Sequence, residues 1–122
     1  MLSLEKTYDP KEIFKWVDNH DVISTFKIDG TSCSLIYENG KLTLAKTRGD
    51  GIFGENIFSK ILWVDSVPKT LDTKEKLEVR GELFCSEENF LKLSMVMDSL
   101  KLERPTSQRN IVSGLMENWI EI

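Results

Sequence analysis

The stretch TSCSLIYENGKLTLAKT, residues 31–47, carries the strongest fold signal in the sequence. Cys33, Leu35 and Tyr37 alternate with the residues between them, and a period of two is typical of a β-strand. Asn39-Gly40 follows, and these two residue types accept the positive φ angles that a type I′ turn requires. The next segment, KLTLAKT, again has strand character. The stretch therefore predicts a β-hairpin.

The flanking sequence predicts three helices. Residues 9–20, DPKEIFKWVDNH, place Asp9 at the N-cap and Pro10 at the first helical position, ahead of an apolar stripe. Residues 54–68, GENIFSKILWVDSVP, predict a short helix that ends before the proline. Ser86 is suited to cap a helix over residues 87–101, whose first acidic residues complement the helix dipole.

Residues 76–85, KLEVRGELFC, predict a further strand because their apolar residues alternate. Residues 22–28, VISTFKI, form another β-like run. The order helix, hairpin, helix, strand, helix predicts an α+β fold, a mainly antiparallel sheet with flanking helices. We expect the tryptophans in the core; they are Trp16, Trp63 and Trp119.

The composition indicates one globular domain. The chain has 122 residues, 40% hydrophobic and 30% charged, and a net charge of −4. This charge argues against an autonomous nucleic-acid binder but leaves room for a small phosphate site. Cys33 and Cys85 form no CxxC pair and His20 is the single histidine, so a zinc site is not expected. Free cysteines, no signal peptide and no long apolar run fit a cytoplasmic protein without a membrane span.

Three short clusters concentrate charge and glycine: KIDG at 27–30, TRGDGIFGE at 47–55 and EVRGE at 78–82. Each has an ordinary structural interpretation by itself. The lysine suits a strand end in water, the glycines suit tight turns, and the third cluster suits a surface strand with cross-strand ion pairs.

In combination, and followed by RPTSQRNIVSGL at 104–115, the clusters resemble the adenylation domain of the NAD-dependent DNA ligases. FKIDG resembles the motif of the adenylated lysine, KTRGDGIFGENI the family's TRGDGxxGE loop, and LEVRGELF its next motif. The resemblance covers nearly the whole chain. It implies an ATP-grasp-like nucleotidyltransferase domain, of which residues 1–122 form a part.

The resemblance implies that Lys27 is the catalytic nucleophile and that NAD is its substrate. A lysine attacks only as the neutral amine, so desolvation or nearby cations must favour loss of its proton. Asp29, two positions on along the strand, lies on the same face. It either orients the amine or helps to hold a divalent metal, Mg²⁺ by family resemblance. Gly30 gives the turn after the strand and leaves room for the nucleotide.

Three further nucleotide-binding residues are implied by the resemblance. Arg48 matches the arginine that contacts the nucleotide, and its planar fork suits phosphate and ribose oxygens. Glu82 matches the glutamate that accepts from a ribose hydroxyl. Arg109 matches an arginine near the phosphates or the nick. Asp50 and Glu55 are interpreted as residues that shape the loop.

The sequence departs from the family pattern at two positions. Thr25 stands where the family has a glutamate facing the adenine, and Glu117 falls at or near a second family arginine. The family's later lysine motifs and its NMN-binding, oligonucleotide-binding, zinc-finger, helix-hairpin-helix and BRCT parts are also expected elsewhere.

Two functions are therefore considered. The first is a part of a ligase acting on nicked DNA, completed by its C-terminal remainder or, in a split, phage-like enzyme, by a partner chain. The second is a non-catalytic nucleotide-binding or interaction module derived from a ligase. The intact lysine, arginine and glutamate favour the first, and the missing later lysines favour the second.

Overall fold

The computed structural model describes residues 5–49 and 53–117, except for the side chain of Glu117. Four helices and three strands are found in this part of the chain. In chain order they are α1 (Pro10–Val17), β1 (Thr31–Glu38), β2 (Lys41–Thr47), α2 (Phe58–Ile61), β3 (Leu77–Leu83), α3 (Glu87–Ser99) and α4 (Gln108–Glu117).

The predicted hairpin is confirmed. β1 and β2 pair antiparallel, and the connecting Asn39 and Gly40 have φ angles of 52° and 76°. Both values are positive, as a type I′ turn requires. A β-bulge between Ile36 and Tyr37 shifts the register once.

The sheet is completed by β3, which pairs antiparallel with the other edge of β1, so the strand order is β2-β1-β3. Directly opposite residues share a face of the sheet, and two such pairs are Ser32–Glu82 and Ser34–Arg80. The residues between them face the opposite side. The sheet therefore has one polar face and one apolar face, and the predicted α+β class with an antiparallel sheet is confirmed.

The core lies on the apolar face. Tyr37, Ile57 and Ile61 are its largest fully buried side chains. Helix α4 contributes the buried Val112 and Met116, and the Tyr37 hydroxyl donates a hydrogen bond of 2.8 Å to the carbonyl of Pro68. Two parts of the chain thus cover the apolar face of the sheet. One is the segment that contains α2, and the other is helix α4.

Both predicted helix caps are confirmed. The Asp9 side chain accepts from the backbone of Lys11 and begins α1, and Ser86 accepts from the backbone of Asn89 and begins α3. The helices end earlier than predicted, and α2 is only four residues long. In the part of the chain that the structure describes, no helix is long and apolar enough to cross a membrane.

The expectation of buried tryptophans is wrong for the two that the structure describes. Trp16 is 73% exposed and Trp63 is 78% exposed, and Trp119 lies outside the described residues. No residue of α1 is buried. The apolar stripe correctly indicated a helix, but a stripe does not determine which surface will pack against it.

The β-like run at 22–28 is not a strand in the structure. A strand forms where a neighbour satisfies its backbone groups. The free edge of β2 is instead bonded by other segments, since Ile57 donates to Ala45 and Leu42 donates to Lys69. Among the described residues the run pairs with none of the three strands, and Phe26 within it is 95% exposed.

Candidate functional site

A cleft of about 620 Å³ opens on the polar face of the sheet. Its lining comes from all three strands and from the loop after β2: Ser32, Cys33, Ser34, Lys46, Thr47, Arg48, Gly54, Glu78, Arg80, Gly81 and Glu82. Three basic side chains in this lining outnumber two acidic ones, although the whole chain is acidic. The local charge favours an anionic ligand.

Glu82 connects the KIDG turn to the sheet. Its Oε1 accepts a hydrogen bond of 3.1 Å from the backbone N–H of Gly30. Its Oε2 accepts one of 2.8 Å from the hydroxyl of Ser32. Two of the residues predicted for the site, Gly30 and Glu82, are therefore bonded to each other although 52 positions separate them.

Gly30 is also held against β3 by close packing. A Cβ atom at this position would lie 1.9 Å from the carbonyl oxygen of Leu83. Only glycine permits this approach without a shift of the backbone. Close packing against β3 is thus a reason for glycine at this position that the resemblance did not give.

Arg48 directly follows β2 and lines the cleft. Its backbone N–H donates to the carbonyl of Ser32 at 3.3 Å, so Arg48 stands at the same level of the sheet as Glu82. The loop is closed behind it because Thr47 donates to the Glu55 carbonyl at 2.9 Å and its hydroxyl accepts from the Glu55 backbone at 3.1 Å. Glu55 thus shapes the loop through its backbone, and Asp50 lies outside the described residues.

Arg109 reaches the same region from the other end of the chain. Its Nη1 lies 3.4 Å from Oδ1 of Asp29, across a separation of 80 residues. Helix α4 is fixed to the start of β1 by a hydrogen bond of 3.2 Å between the hydroxyls of Thr31 and Ser113. The burial of Val112 in the core holds the same helix in place.

Lys27 is exposed and does not line the cleft. It lies in residues 21–29, which form neither helix nor strand, so the prediction that Lys27 and Asp29 share one face of a strand is wrong. Faces alternate only where the chain is held extended by pairing. The chain itself limits the distance between the two residues, since two residues span at most about 7 Å.

The environment of the cleft shifts two pKa values. Burial, and next the negative charge of Glu82, raise the pKa of the Cys33 thiol. The Ser34 hydroxyl, and more weakly the charges of Lys46 and Arg80, lower the pKa of the Glu78 carboxyl, while partial desolvation opposes them. Cys33, whose side chain belongs to the core on the apolar face, therefore keeps its proton to a higher pH than an ordinary thiol, and Glu78 loses its proton at a lower pH than an ordinary carboxyl.

Sequence reasoning did not select Ser32, Lys46 or Arg80 as site residues. A signal for two of them was present. Ser32 in β1 and Arg80 in β3 occupy the positions that alternate with the apolar residues, so the period of two assigns them to the polar face. Lys46 joins them through its pairing with Ser34. That pairing required the bulge-shifted register, which the sequence pattern does not give.

The described residues do not provide a metal site of protein ligands alone. Across residues 5–49 and 53–117, no group of three or more His, Cys, Asp and Glu side chains is placed to hold a metal ion. Mg²⁺ at phosphates usually takes only one or two carboxylates from the protein. Asp29, the carboxylate suggested by the sequence, pairs with Arg109 in this structure.

Comparison with known proteins defines the class to which this fold and site belong. Residues 1–119 match the model of the NAD-dependent DNA ligase adenylation domain, and the chain belongs to this family. The family resemblance inferred from the motifs is confirmed.

Individual relatives are DNA ligases. The chain is 40% identical to the DNA ligase of Mycoplasmopsis pulmonis, over 97% of this chain and 19% of the relative. It is 36% identical to the DNA ligase of Mycoplasma genitalium, over 97% of this chain and 18% of the relative. The chain is 39% identical to the DNA ligase of Borrelia garinii subsp. bavariensis, over 95% of this chain and 18% of the relative. The chain spans about a fifth of the length of the curated relatives it matches.

Proposed function

We propose that the chain forms part of the adenylation domain of a NAD-dependent DNA ligase, with an ATP-grasp-like nucleotidyltransferase fold, and that Lys27 receives AMP from NAD. The neutral amine of Lys27 attacks the α-phosphorus of NAD and forms an N–P bond. The bond from that phosphorus to the bridging oxygen breaks. Nicotinamide mononucleotide leaves and keeps that oxygen and the bonding electrons. After attack the nitrogen carries one proton too many and releases it to solvent, which leaves a phosphoramidate. An oxygen of a 5′-phosphate at a nick in DNA then attacks the same phosphorus, the N–P bond breaks, and Lys27 is regenerated as AMP passes to the DNA.

The observation that carries the proposal is the convergence of distant segments beside Lys27. The Asp29–Arg109 ion pair and the Gly30–Glu82 hydrogen bond join the KIDG turn to segments 80 and 52 positions away. The motif resemblance, which uses no contact in the structure, assigns each of these four residues to a nucleotide site. A chance set of charged surface residues has no reason to meet at one turn.

The chemistry of the cleft, together with that of the KIDG turn and its partner Arg109, fits the nucleotide half of NAD. Arg48 and Arg109 are suited to phosphate and ribose oxygens, because a guanidinium presents several donors in one plane. Glu82 is an acceptor, and a ribose hydroxyl is a donor. We assign Asp29 to orienting the amine of Lys27 or to a water-mediated contact with Mg²⁺ at the phosphates.

The remaining parts of the reaction are proposed to come from further polypeptide of the same ligase. This polypeptide, either continuous with the chain or present as a partner chain, supplies the later lysines, the NMN-binding part and the modules that grip nicked DNA. Residues 1–122 are thus a partial adenylation domain. We expect it to act in the cytoplasm, where NAD and nicked DNA meet during replication and repair.

The proposal is tested by intact mass spectrometry of the chain after incubation with NAD and Mg²⁺. The chain is incubated by itself and, in a second experiment, together with the remaining segment of a relative's ligase. We expect a gain of one AMP, lost in Lys27→Ala and retained in Lys74→Ala, which removes an exposed lysine that does not line the cleft. ATP in place of NAD is expected to give no adduct. An adduct in the Lys27→Ala protein would contradict the assignment of the nucleophile.

A non-catalytic nucleotide-binding module is the second candidate. The exposure of Lys27, outside the cleft lining, favours it. The same experiment separates the two functions. Binding of AMP to the chain with no adduct under any condition would support the module and overturn the ligase role.

A further inference from the structure

The carboxylate of Glu82 is held from two sides by groups of β1 and the turn before it. Ser32 and Glu82 are directly opposite each other in the register of β1 and β3. The Ser32 hydroxyl donates to Oε2 at 2.8 Å, while the Gly30 backbone donates to Oε1 at 3.1 Å. Each carboxylate oxygen can accept about two hydrogen bonds. One acceptor position on each oxygen is therefore left for a ligand.

We propose that Ser32 is a positioning residue that fixes Glu82 for recognition of the nucleotide ribose. The inference rests on the proposed function, in which AMP occupies the cleft and Glu82 accepts from a ribose hydroxyl. Ser32 lines the same cleft and donates its single O–H to Glu82, so its oxygen keeps two lone pairs that can accept from a ligand. The Ser32–Glu82 pair thus forms an acceptor site for a sugar diol, and it favours a ribonucleotide over a deoxynucleotide.

The physical need for Ser32 follows from the flexibility of a glutamate. Glu82 has three side-chain torsions, and ordering such a side chain on binding costs free energy. The Gly30 N–H restrains one oxygen only. When Ser32 restrains the other carboxylate oxygen, the carboxylate is already oriented before the ligand binds. Binding then requires less free energy for ordering the Glu82 side chain. Loss of a hydrogen bond to a charged group is expected to weaken AMP binding about 10-fold.

Ser32 is not required for the fold in the same way. The register of β1 with both neighbours is held by backbone hydrogen bonds, which a change of side chain leaves intact. Ser32 is only partly buried and borders an open cleft, so Ser32→Ala creates no closed cavity. The effect of the substitution is therefore expected in ligand selectivity rather than in folding.

The test compares the binding of AMP, 2′-deoxy-AMP and 3′-deoxy-AMP to the chain by isothermal titration calorimetry. We expect wild type to prefer AMP over one deoxy analogue by about 10-fold. Ser32→Ala is expected to weaken AMP by a similar factor and to leave the poorer analogue nearly unchanged, so the preference disappears. Ser32→Thr keeps the hydroxyl, so this variant is expected to keep the preference for AMP. Thr43→Val is the matched control, because it removes an exposed hydroxyl on β2 that donates to the Ile36 carbonyl and does not line the cleft.

The outcomes are distinguishable. If wild type binds AMP and Ser32→Ala retains the full preference, or weakens all three ligands equally, the inference is overturned while the proposed function stands. If wild type binds none of the three, both fail. Amide hydrogen exchange gives a readout without ligand, because Ser32→Ala is expected to reduce the protection of the Gly30 amide. Unchanged protection would also count against the inference.

Discussion

Asp29 and Arg109 form an ion pair, with Nη1 and Oδ1 3.4 Å apart, between the KIDG turn and the first turn of α4. The N-terminus of a helix carries a partial positive charge, so an arginine there is locally unfavourable. Ser107 caps this terminus by accepting from the backbone of Asn110 at 3.1 Å, which fixes Arg109 in the unfavourable place. Such a conflict between local preference and position is expected at functional sites.

Arg109→Ala is expected to reduce adenylation with little effect on stability. Both side chains of the pair are largely exposed, 62% for Arg109 and 70% for Asp29. An exposed ion pair contributes at most about 1 kcal/mol. We expect the free energy of unfolding in urea to change by less than this value, while the rate of AMP-adduct formation falls by at least about tenfold.

Arg104→Ala is the matched control for this prediction. Arg104 also forms an exposed ion pair, but its partner is Asp98 at the end of α3 and not a residue of the KIDG turn. The same charge is removed, and adduct formation is expected to remain at the wild-type rate. Equal losses of rate in the two variants would mean that only net charge matters.

Gly30→Ala is expected to destabilise the protein. The added methyl group would lie 1.9 Å from the Leu83 carbonyl oxygen, which belongs to a backbone in the sheet and cannot rotate away. Overpacking of this kind costs about 1–3 kcal/mol. The displacement of the turn is also expected to break the hydrogen bond from Gly30 to Glu82. The change is measured by urea unfolding.

Gly81→Ala provides the comparison. Gly81 precedes Glu82 in β3, and an added Cβ there meets no atom within 4 Å. Glycine in a strand is less favourable than alanine by about 0.5–1 kcal/mol, so this substitution is expected to be neutral or slightly stabilising. A larger loss for Gly81→Ala than for Gly30→Ala would contradict the packing explanation.

Lys69→Met is expected to destabilise the connection between α2 and the hairpin. The ammonium group of Lys69 donates to three backbone carbonyls, those of Ile61, Val64 and Val67, at 2.9, 2.7 and 2.8 Å. Methionine keeps the apolar stem and removes all three donors. We expect a loss of about 2–4 kcal/mol in urea unfolding, since hydrogen bonds to charged groups are stronger than neutral ones.

Lys74→Met is the control for Lys69→Met. Lys74 is exposed in the loop before β3, and surface substitutions usually change stability by less than about 0.5 kcal/mol. If both variants lost the same amount, the three carbonyl contacts of Lys69 would contribute nothing measurable.

The local elements were predictable because their signals are local. Asn39-Gly40 requires only its own backbone angles, and the caps at Asp9 and Ser86 bond residues two or three positions away. The exposed positions of Trp16 and Trp63 were not predictable in this way. Burial depends on which surface arrives from elsewhere in the fold, and an apolar side chain does not encode its partner.

The site was predictable in part for a related reason. The motif resemblance selected Asp29, Gly30, Glu82 and Arg109, and the structure brings them together in two contacts. The motif resemblance did not select Ser32, because the role of its hydroxyl depends on the register of β1 against β3. Register is a tertiary property, since a shift of one residue would turn Ser32 to the opposite face.

Ionisation of Cys33 is expected to limit stability at alkaline pH. Burial raises the pKa of this thiol above its ordinary value, and the charge of Glu82 acts in the same direction. The folded protein therefore keeps a proton that the unfolded chain releases. This contribution to stability is fully present below about pH 8.5, the ordinary pKa of a thiol, and is lost as the pH rises through the higher pKa of the folded state.

The measurement is the free energy of unfolding in urea at about pH 7.5 and at about pH 9.5, on either side of the ordinary thiol pKa. Wild type is expected to lose more stability over this interval than Cys33→Ala, which has no proton to release at that position. Cys85→Ala is the control, because Cys85 is only partly buried, and it should follow wild type. The pKa of Tyr37 is also raised, mainly by burial, which all three proteins share. The smaller effect on Tyr37 comes from the Cys33 charge itself, so its loss in Cys33→Ala is part of the Cys33 contribution that is measured. If the free energy of unfolding fell by the same amount in Cys33→Ala and in wild type between the two pH values, the Cys33 thiol would not be the group that links stability to pH.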